Sequence, residues 1–217
     1  MKRGLIIIVC FLLMQKANGQ TRMYVAAGLT TSYGGGYNAL FAKIKTPGYF
    51  DIELEKKILG SVSIVGGVST FGVGYSSEDT GFGSQSSYQA RFVSVPVLFR
   101  WNIRNKNFFF LDFGLSPYYL VNAHLQESIY KFGIKRDVEG DITGYSKRFF
   151  TSFKFQQTFA VNRLIISLFV IVPFKGQSSI KDLPDHWGLN QQQSTYLIEG
   201  GYKDFVVMGL KTGLRIK

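Results

Sequence analysis

The sequence is poor in the residues that most reactive sites require. Its 217 residues include one cysteine, two histidines and five prolines, and only 18% are charged. The cysteine, Cys10, lies in an apolar N-terminal segment, so the rest of the chain can form no disulfide and has no thiol chemistry. A zinc site would need both His124 and His186 together with carboxylates, and no stretch has the spacing of metal ligands. We therefore expect no cofactor and no metal.

Glycine and aromatic residues, in contrast, are abundant. The chain holds 24 glycines, 20 phenylalanines and 12 tyrosines, and 46% of its residues are hydrophobic. Soluble domains usually carry about a quarter charged residues, so this composition is unusually apolar. Aromatic residues favour strands, and the length suits one domain of about 200 residues. The composition therefore predicts a single all-β domain.

The N-terminus has the layout of a secretory signal peptide. Two basic residues follow the initial methionine, and residues 5–14 form an apolar core. Ala17 and Gly19 then supply the small residues of a cleavage site. A core of about ten residues is too short to span a membrane, which takes about 20. We therefore predict a cleaved signal peptide over residues 1–19.

The remaining chain, residues 20–217, has no apolar run long enough for a transmembrane helix. Its longest apolar stretch, around 170–172, is interrupted by Ser167 and Pro173. Only helices and closed barrels satisfy their backbone polar groups inside lipid. The exported domain is therefore predicted to be either a soluble protein or a membrane β-barrel.

Eight segments show the alternation of apolar and polar residues that is typical of strands. They are 22–33, 49–57, 61–75, 88–103, 107–122, 149–161, 163–174 and 205–216. The connections alternate strictly in length. Long polar connections cover 34–48, 76–87, 123–148 and 175–204, whereas tight turns are predicted at 58–60, at 104–106 and around Asn162. This pattern indicates an up-and-down antiparallel barrel of eight strands, with short periplasmic turns and long extracellular loops.

The distribution of charge between strand faces favours a membrane barrel. In 205–216 one face reads Val206, Met208, Leu210, and the opposite face carries Lys211 and Arg215. A soluble barrel turns its apolar face inward, and a membrane barrel turns it outward. The polar faces are rich in glycine and serine, which suit a narrow interior. The predicted fold is therefore an eight-stranded transmembrane β-barrel, with segments 61–75 and 163–174 ambiguous in orientation.

Aromatic residues gather near both predicted rims, as in the girdles of membrane barrels. Trp101, Phe108 and Phe109 flank a short turn. Those that lie towards the long loops are Tyr33, Tyr75, Tyr88, Tyr118 and Tyr119.

Two consecutive strands carry a family resemblance. Residues 93–100 read VSVPVLFR and residues 109–120 read FFLDFGLSPYYL. This pair resembles the central hairpin of the PorT-like small outer-membrane β-barrels. The resemblance implies an outer-membrane barrel fold and says almost nothing about activity, and with its signal peptide and eight strands it covers nearly the whole chain. We expect a non-enzymatic protein because no nucleophile elbow or second basic partner is identifiable. The chain departs from many such barrels because it ends in Ile216 and Lys217 rather than in an aromatic residue.

An eight-stranded barrel has an interior that side chains fill, and buried charges must be paired. The inward faces are therefore predicted to form a charge network that plugs the lumen. Its members are Glu53, Glu55, Arg100, Asp112, Lys154, Lys211 and Arg215. A relay of protons or ions through these groups is the alternative.

With a plugged lumen, the remaining functional surface is the long loops. The loops 123–148 and 175–204 mix charged and aromatic residues, as binding surfaces do, and an extracellular protein or glycan is their expected partner. Membrane lipid surrounds the wall, and no nucleic acid is expected because the basic residues are scattered and the chain is exported. Two alternatives are a small hydrolase acting on lipid or peptide through Asp185 and His186, and a soluble barrel that binds an apolar ligand.

Overall fold

The computed structural model of the chain describes residues 21–33, 43–44, 48–79, 84–103, 108–131, 134–174, 180, 182–189 and 206–216. Nearly all of these residues lie in β-strands. None of the helices among them is long and apolar enough to cross a membrane. In chain order the strands are β1 (Thr21–Tyr33), β2 (Lys43–Ile44), β3 (Gly48–Leu59), β4 (Val62–Asp79), β5 (Ser84–Ser94), β6 (Val97–Asn102), β7 (Phe109–Leu115), β8 (Tyr118–Lys131), β9 (Ile134–Asp141), β10 (Phe149–Phe150), β11 (Ser152–Val161), β12 (Leu164–Pro173) and β13 (Val206–Arg215).

The strands close into a barrel. Antiparallel pairing runs from β1 to β3, β4, β5–β6, β7–β8, β10–β11, β12 and β13, and β13 pairs with β1 again. The pairs β5–β6, β7–β8 and β10–β11 each act as one wall strand, because both halves pair with the same neighbouring wall strands. The register is continuous except for a bulge between β5 and β8 at Arg91 and Phe92. The predicted eight-stranded, antiparallel, up-and-down barrel is confirmed.

Two prolines divide the central wall strands. Pro96 separates β5 from β6, and Pro117 separates β7 from β8. A proline has no N–H to give to the ladder, but its carbonyl still accepts. The N–H of Gly67 donates to the Pro96 carbonyl at 3.3 Å, and the N–H of Val95 donates to the Pro117 carbonyl at 3.0 Å. The wall therefore continues through both breaks.

Tight turns close one end of the barrel, which we call the turn side. The link between β3 and β4 contains Gly60 at a φ of 51°, and the link between β11 and β12 contains Asn162 at a φ of 55°. Glycine and asparagine are the residues that adopt this left-handed conformation most readily. The turn predicted at 104–106 lies outside the described residues. The opposite end, from which the longer connections leave, is called the loop side.

The segment 123–148, predicted to be a loop, is largely a β-hairpin. β8 continues to Lys131 and pairs with β9, from His124 opposite Asp141 to Lys131 opposite Ile134. The hairpin extends the wall beyond the barrel on the loop side. The polar composition that indicated a loop is explained because the outward face of this hairpin is solvated. Of the segment 175–204, the structure describes residues 180 and 182–189.

The structure resolves the orientation of the two ambiguous strands. In β4, Val62 and Val68 face outward and Val65 faces the lumen; in β12, Leu168 faces outward and Phe169 inward. Both faces are apolar because the loop-side half of the lumen is itself lined with aromatic residues. Phe169 fits there because β13 has a glycine opposite it.

That glycine is Gly209. A Cβ atom added to it would lie 2.3 Å from Cζ of Phe169 and 2.9 Å from the carbonyl oxygen of Leu29. Real atoms cannot approach so closely, so the position accepts no side chain without moving the ring. The glycine-rich polar face predicted for 205–216 thus reflects close packing in a narrow interior.

One part of the predicted aromatic girdles is wrong. Tyr88 is fully buried in the lumen and Tyr118 is 8% exposed, whereas Tyr119 is 44% exposed. Period-2 alternation explains the difference, since neighbouring residues such as Tyr118 and Tyr119 must face opposite sides of the wall. On the turn side, Trp101 and Phe108 face outward as predicted. The side chains of Tyr33 and Tyr75 lie outside the described residues.

Candidate functional site

The interior of the barrel is layered. On the turn side an apolar layer is formed by Tyr24, Ala26, Phe110, Ala160 and Ile165. Next comes a layer of buried charged residues, to which β3, β6, β7, β11 and β13 contribute. The loop-side half is then filled by a larger apolar cluster that is rich in aromatic rings. We call the middle layer the charged layer, and it is the candidate functional site.

Arg100 is the centre of one half of the charged layer. Its Nε and Nη2 each donate to one oxygen of Asp112 at 2.7 Å, and its Nη1 donates to Oε2 of Glu55 at 3.1 Å. Nη2 also lies 3.7 Å from Oε2 of Glu53. Arg100 and Asp112 are directly opposite on β6 and β7, so the sheet register itself aligns the guanidinium with the carboxylate. This two-point geometry is the strong form of an ion pair.

The planar guanidinium of Arg100 also packs between rings. Its Cζ lies 4.9 Å from the ring centroid of Tyr24 and 5.1 Å from that of Phe110. A cation over an aromatic face is attracted to the ring, and more strongly where water is absent. Both rings belong to the turn-side apolar layer, so Arg100 joins the two layers.

Two lysines and two carboxylates form the other half. Nζ of Lys211 donates to Oε1 of Glu53 at 2.8 Å and to Oδ2 of Asp51. Nζ of Lys154 lies 3.5 Å from the same Glu53 oxygen and donates to the Tyr49 hydroxyl at 3.0 Å. The side chains of all four charged residues are 1% exposed or less. Because Glu53 faces Arg100 as well as both lysines, it links the two halves.

Uncharged polar groups complete the layer. The hydroxyl groups of Tyr24 and Ser63 donate to Glu55, the latter at 2.8 Å, and Nε2 of Gln156 donates to Asp112 at 2.9 Å. Carboxylates buried in a low-dielectric interior need such donors in addition to their countercharges. The layer is therefore a hydrogen-bonded network that crosses the barrel from β3 to β7, β11 and β13.

The structure brings six of the seven residues of the predicted network together: Glu53, Glu55, Arg100, Asp112, Lys154 and Lys211. Arg215 is placed elsewhere. It lies at the turn-side end of β13, and its Nη2 donates to the backbone carbonyl of Asn162 at 2.8 Å. Asp51, absent from the predicted set, belongs to the layer. Its spacing from Glu53 and Glu55 along one strand face was the signal that could have identified it.

A short segment of the chain packs against the hairpin region on the loop side. Ile180, Leu183 and Trp187 are buried in the same cluster as Val138 and Ile142 of the hairpin region. Backbone contacts hold this segment in place, since Ser146 forms a bridge with Ile180 and the N–H of Asp182 donates to the Tyr145 carbonyl at 3.2 Å. We call residues 180–189, as far as they are described, the cap.

The described loop residues that suggested catalysis or metal binding do not form a reactive site. His124 is on the outer surface of β8, with Nε2 3.5 Å from Oε1 of Glu139. Asp185 is exposed at the start of a short 3₁₀ helix, Asp185–Trp187, and the side chain of His186 lies outside the described residues. Among the described residues, no three His, Cys, Asp or Glu side chains are grouped so as to hold a metal ion.

The outward face of the wall is apolar over most of its height. Large side chains that are 40% exposed or more include Phe99, Phe113, Phe155, Leu168 and Leu210. Buried charge and exposed apolar residues are the reverse of the arrangement in a soluble protein. Towards the loop side this face becomes polar, with exposed Gln89, Arg91, Asn122 and His124.

Comparisons with known proteins add structural likenesses only. No protein-family model and no curated protein matches the sequence. Among solved structures, the attachment invasion locus protein Ail of Yersinia pestis, crystallised with the heparin analogue sucrose octasulfate, is 12% identical with a TM-score of 0.43, covering 92% of this chain and 100% of that chain. Neisserial surface protein A is 4% identical with a TM-score of 0.43, covering 90% and 97%. Such scores are too low to decide function, and the barrel assignment rests on the strand pairing of the chain itself.

Proposed function

We propose that this protein is a non-enzymatic outer-membrane β-barrel whose lumen is closed and whose loop side serves interaction. The observation that carries the proposal is the reversal of the two faces of the wall. The seven charged side chains of the charged layer are buried inside, whereas large aliphatic and aromatic side chains are exposed outside. At about 25 cal/mol per Å² of apolar surface, so extended an apolar face is stable only if something apolar covers it. Lipid covers all sides of a closed barrel at once.

The height of the apolar face fits a membrane. On β12 and the residue that follows it, the outward residues run from Leu164 to Phe174, and all are apolar. Ten steps of about 3.3 Å along a strand tilted by about 45° rise roughly 23 Å. The apolar band of an outer-membrane barrel is about 25 Å tall. The wall is therefore as tall as the lipid layer that we propose surrounds it.

A closed lumen is supported by what fills it. The charged layer crosses the interior, with an apolar layer on each side of it, and the cap packs against the hairpin region on the loop side. A solute passing through would have to separate Arg100 from Asp112 and Lys211 from Glu53, and each separation would leave buried charges unpaired. The lumen is thus a core that stabilises the barrel. The PorT-like resemblance of the central hairpin agrees with this assignment, and we extend it to membership of that family as part of the proposal.

The two alternative functions are less well supported. A soluble barrel that binds an apolar ligand requires an apolar lumen and a polar outer wall, and the charged layer and the apolar band are the opposite. A hydrolase acting through Asp185 and His186 requires a nucleophile aligned with them, and the sequence around them carries no nucleophile motif. Neither alternative explains why the inner face of the wall carries buried charge while its outer face is apolar.

The proposal predicts the location of the protein. Because the outer wall needs lipid, we expect the protein to stay in the outer-membrane fraction after a carbonate wash and to migrate faster on gels before boiling than after. Fractionation followed by paired boiled and unboiled samples measures both. Recovery of the washed protein in the soluble periplasmic fraction would contradict the proposal.

The loop side has the charge to bind a polyanionic glycan. The β8–β9 hairpin carries Lys131, Lys135 and Arg136 at its tip, where Lys131 pairs with Ile134. The tip is the part of the hairpin farthest from the apolar band, so it projects away from the membrane. By register Lys131 and Arg136 share one face of the hairpin and Lys135 belongs to the other, so the tip carries positive charge that attracts sulfate groups.

We expect that the variant Lys131→Gln/Lys135→Gln/Arg136→Gln elutes from immobilised heparin at clearly lower salt than the unmodified protein. Surface electrostatic binding weakens as its charges are removed and is screened by salt. The matched control is Lys57→Gln/Arg163→Gln, which removes exposed charge from the turn side and should elute almost unchanged. Shifts in proportion to the number of charges removed, three against two, would show that retention follows net charge rather than the hairpin.

A further inference from the structure

Two outward-facing arginines mark the loop-side border of the apolar band. Arg91 is exposed on β5, and the next outward residue towards the turn side is Val93. Arg148, also exposed, comes just before β10, and its Nη1 donates to the hydroxyl of Tyr119 at 3.1 Å. Both arginines therefore lie where the outer wall changes from apolar to polar.

The strand register gathers the two arginines into one patch. β8 lies between them: Arg91 is opposite Asn122 on one side, and the Arg148 carbonyl accepts from the N–H of Leu120 at 2.7 Å on the other. Neighbouring strands are about 4.8 Å apart, so the two backbones are roughly 10 Å apart across β8. Asn122 is exposed between them, and the Tyr119 hydroxyl lies beside Arg148. We call these four residues the rim patch.

The surroundings of the rim patch separate apolar from acidic groups. On its turn side lie the exposed apolar residues Val121 and Phe149. On its loop side lies β9, where Oδ1 of Asp141 accepts from the N–H of Thr143 at 2.7 Å and Glu139 approaches His124. The acidic groups are thus farther from the apolar band than the arginines are; Asp141 is near enough to attract Arg148, but it accepts its hydrogen bond from Thr143.

We propose that the rim patch binds the phosphate-bearing headgroup of an anionic membrane lipid; this inference rests on the proposed membrane location. Guanidinium groups donate in pairs to phosphate oxygens, and the Asn122 amide and Tyr119 hydroxyl add neutral donors at the same height. A lipid held there would lay its acyl chains along Val93, Val121 and Phe149. The site thus contacts both the headgroup and the acyl chains of a lipid, whereas a free phosphate ion would make only the headgroup contacts.

The test compares lipid adducts by native mass spectrometry of protein released from micelles that contain phosphatidic acid. Each basic residue near an anionic membrane surface contributes about fivefold to binding, so Arg91→Gln/Arg148→Gln should bind phosphatidic acid about 25-fold more weakly. Arg91→Lys/Arg148→Lys should recover part of the loss, and phosphatidylcholine adducts should not change. The matched control is Arg163→Gln, at the turn side.

Two results would overturn the rim patch. One is unchanged affinity of the double glutamine variant, and the other is a loss of about fivefold in Arg163→Gln, the same loss per charge, which would show that the lipid follows net charge. Migration before and after boiling is measured on the same samples. A variant that keeps its heat-modifiable migration but not its lipid supports the site, whereas a protein that never enters the membrane refutes the proposed function instead.

Discussion

Arg100→Met should lower the free energy of unfolding by about 3–5 kcal/mol, the usual cost of removing one partner from a buried ion pair. Methionine is similar in length, so the change removes charge more than volume. The Asp112 carboxylate keeps its hydrogen bond from Gln156 but loses its countercharge. It then lies beside Glu55 and Glu53 in a buried layer. Urea unfolding of the protein in lipid vesicles, followed by tryptophan fluorescence, measures the loss.

Arg215→Met is the matched control for this experiment. Arg215 is also on a lumen-facing position of the wall, but it is partly exposed and donates to the Asn162 carbonyl. Losing a hydrogen bond of this kind costs about 1 kcal/mol. If both variants lost the same stability, Arg215 would belong to the charged layer; if neither did, the layer would not be buried.

Leu168→Arg should destabilise the protein in a bilayer by about 2–4 kcal/mol, as arginine does at the midplane of a barrel's lipid face. Leu168 is 54% exposed and lies in the middle of β12, opposite Leu210. More than half of its side chain is exposed, so the expected cost comes mainly from lipid. The same vesicle unfolding experiment gives the value.

Leu164→Arg provides the control for depth. It lies at the turn-side end of the same strand with 47% exposure, and near the interface the cost should fall to about 0–1 kcal/mol. In a soluble barrel both exposed leucines would accept arginine without loss. Equal and negligible effects at the two positions would therefore reject the membrane-facing assignment of the wall.

Parts of this architecture could be predicted because the residue alternation that marks a strand is a local pattern in the sequence. Alternation with a period of two assigned the faces of β3, β6, β7 and β13, and the contrast between long and short connections gave the number and direction of the wall strands. The same alternation placed Glu53, Glu55 and Arg100 on inward faces. Charge on the inward face and large apolar residues on the outward face are properties of the sequence itself.

Local pattern failed where both faces of a strand have similar polarity or where an element extends past the barrel. β4 and β12 are apolar on both faces, because one face meets the surroundings and the other meets the aromatic layer around Phe169. The hairpin of β8 and β9 has a polar outward face, so it resembled a loop. Tyr88 and Tyr118 were assigned to a girdle because they lie towards the long loops. Their side chains point into the lumen, so they cannot belong to the girdle.

By itself, the sequence determined that the chain forms an all-β barrel of eight strands with charge on one face of the wall. Only the tertiary structure decided which charges meet. Glu53 contacts Lys154 and Lys211 although about 100 and 158 residues separate them, and Arg215 turns to a neighbouring carbonyl instead. Such contacts depend on the closure of the barrel and on strand register. Both closure and register depend on many backbone pairings between strands that are distant in the sequence. No single segment of the sequence therefore predicts them.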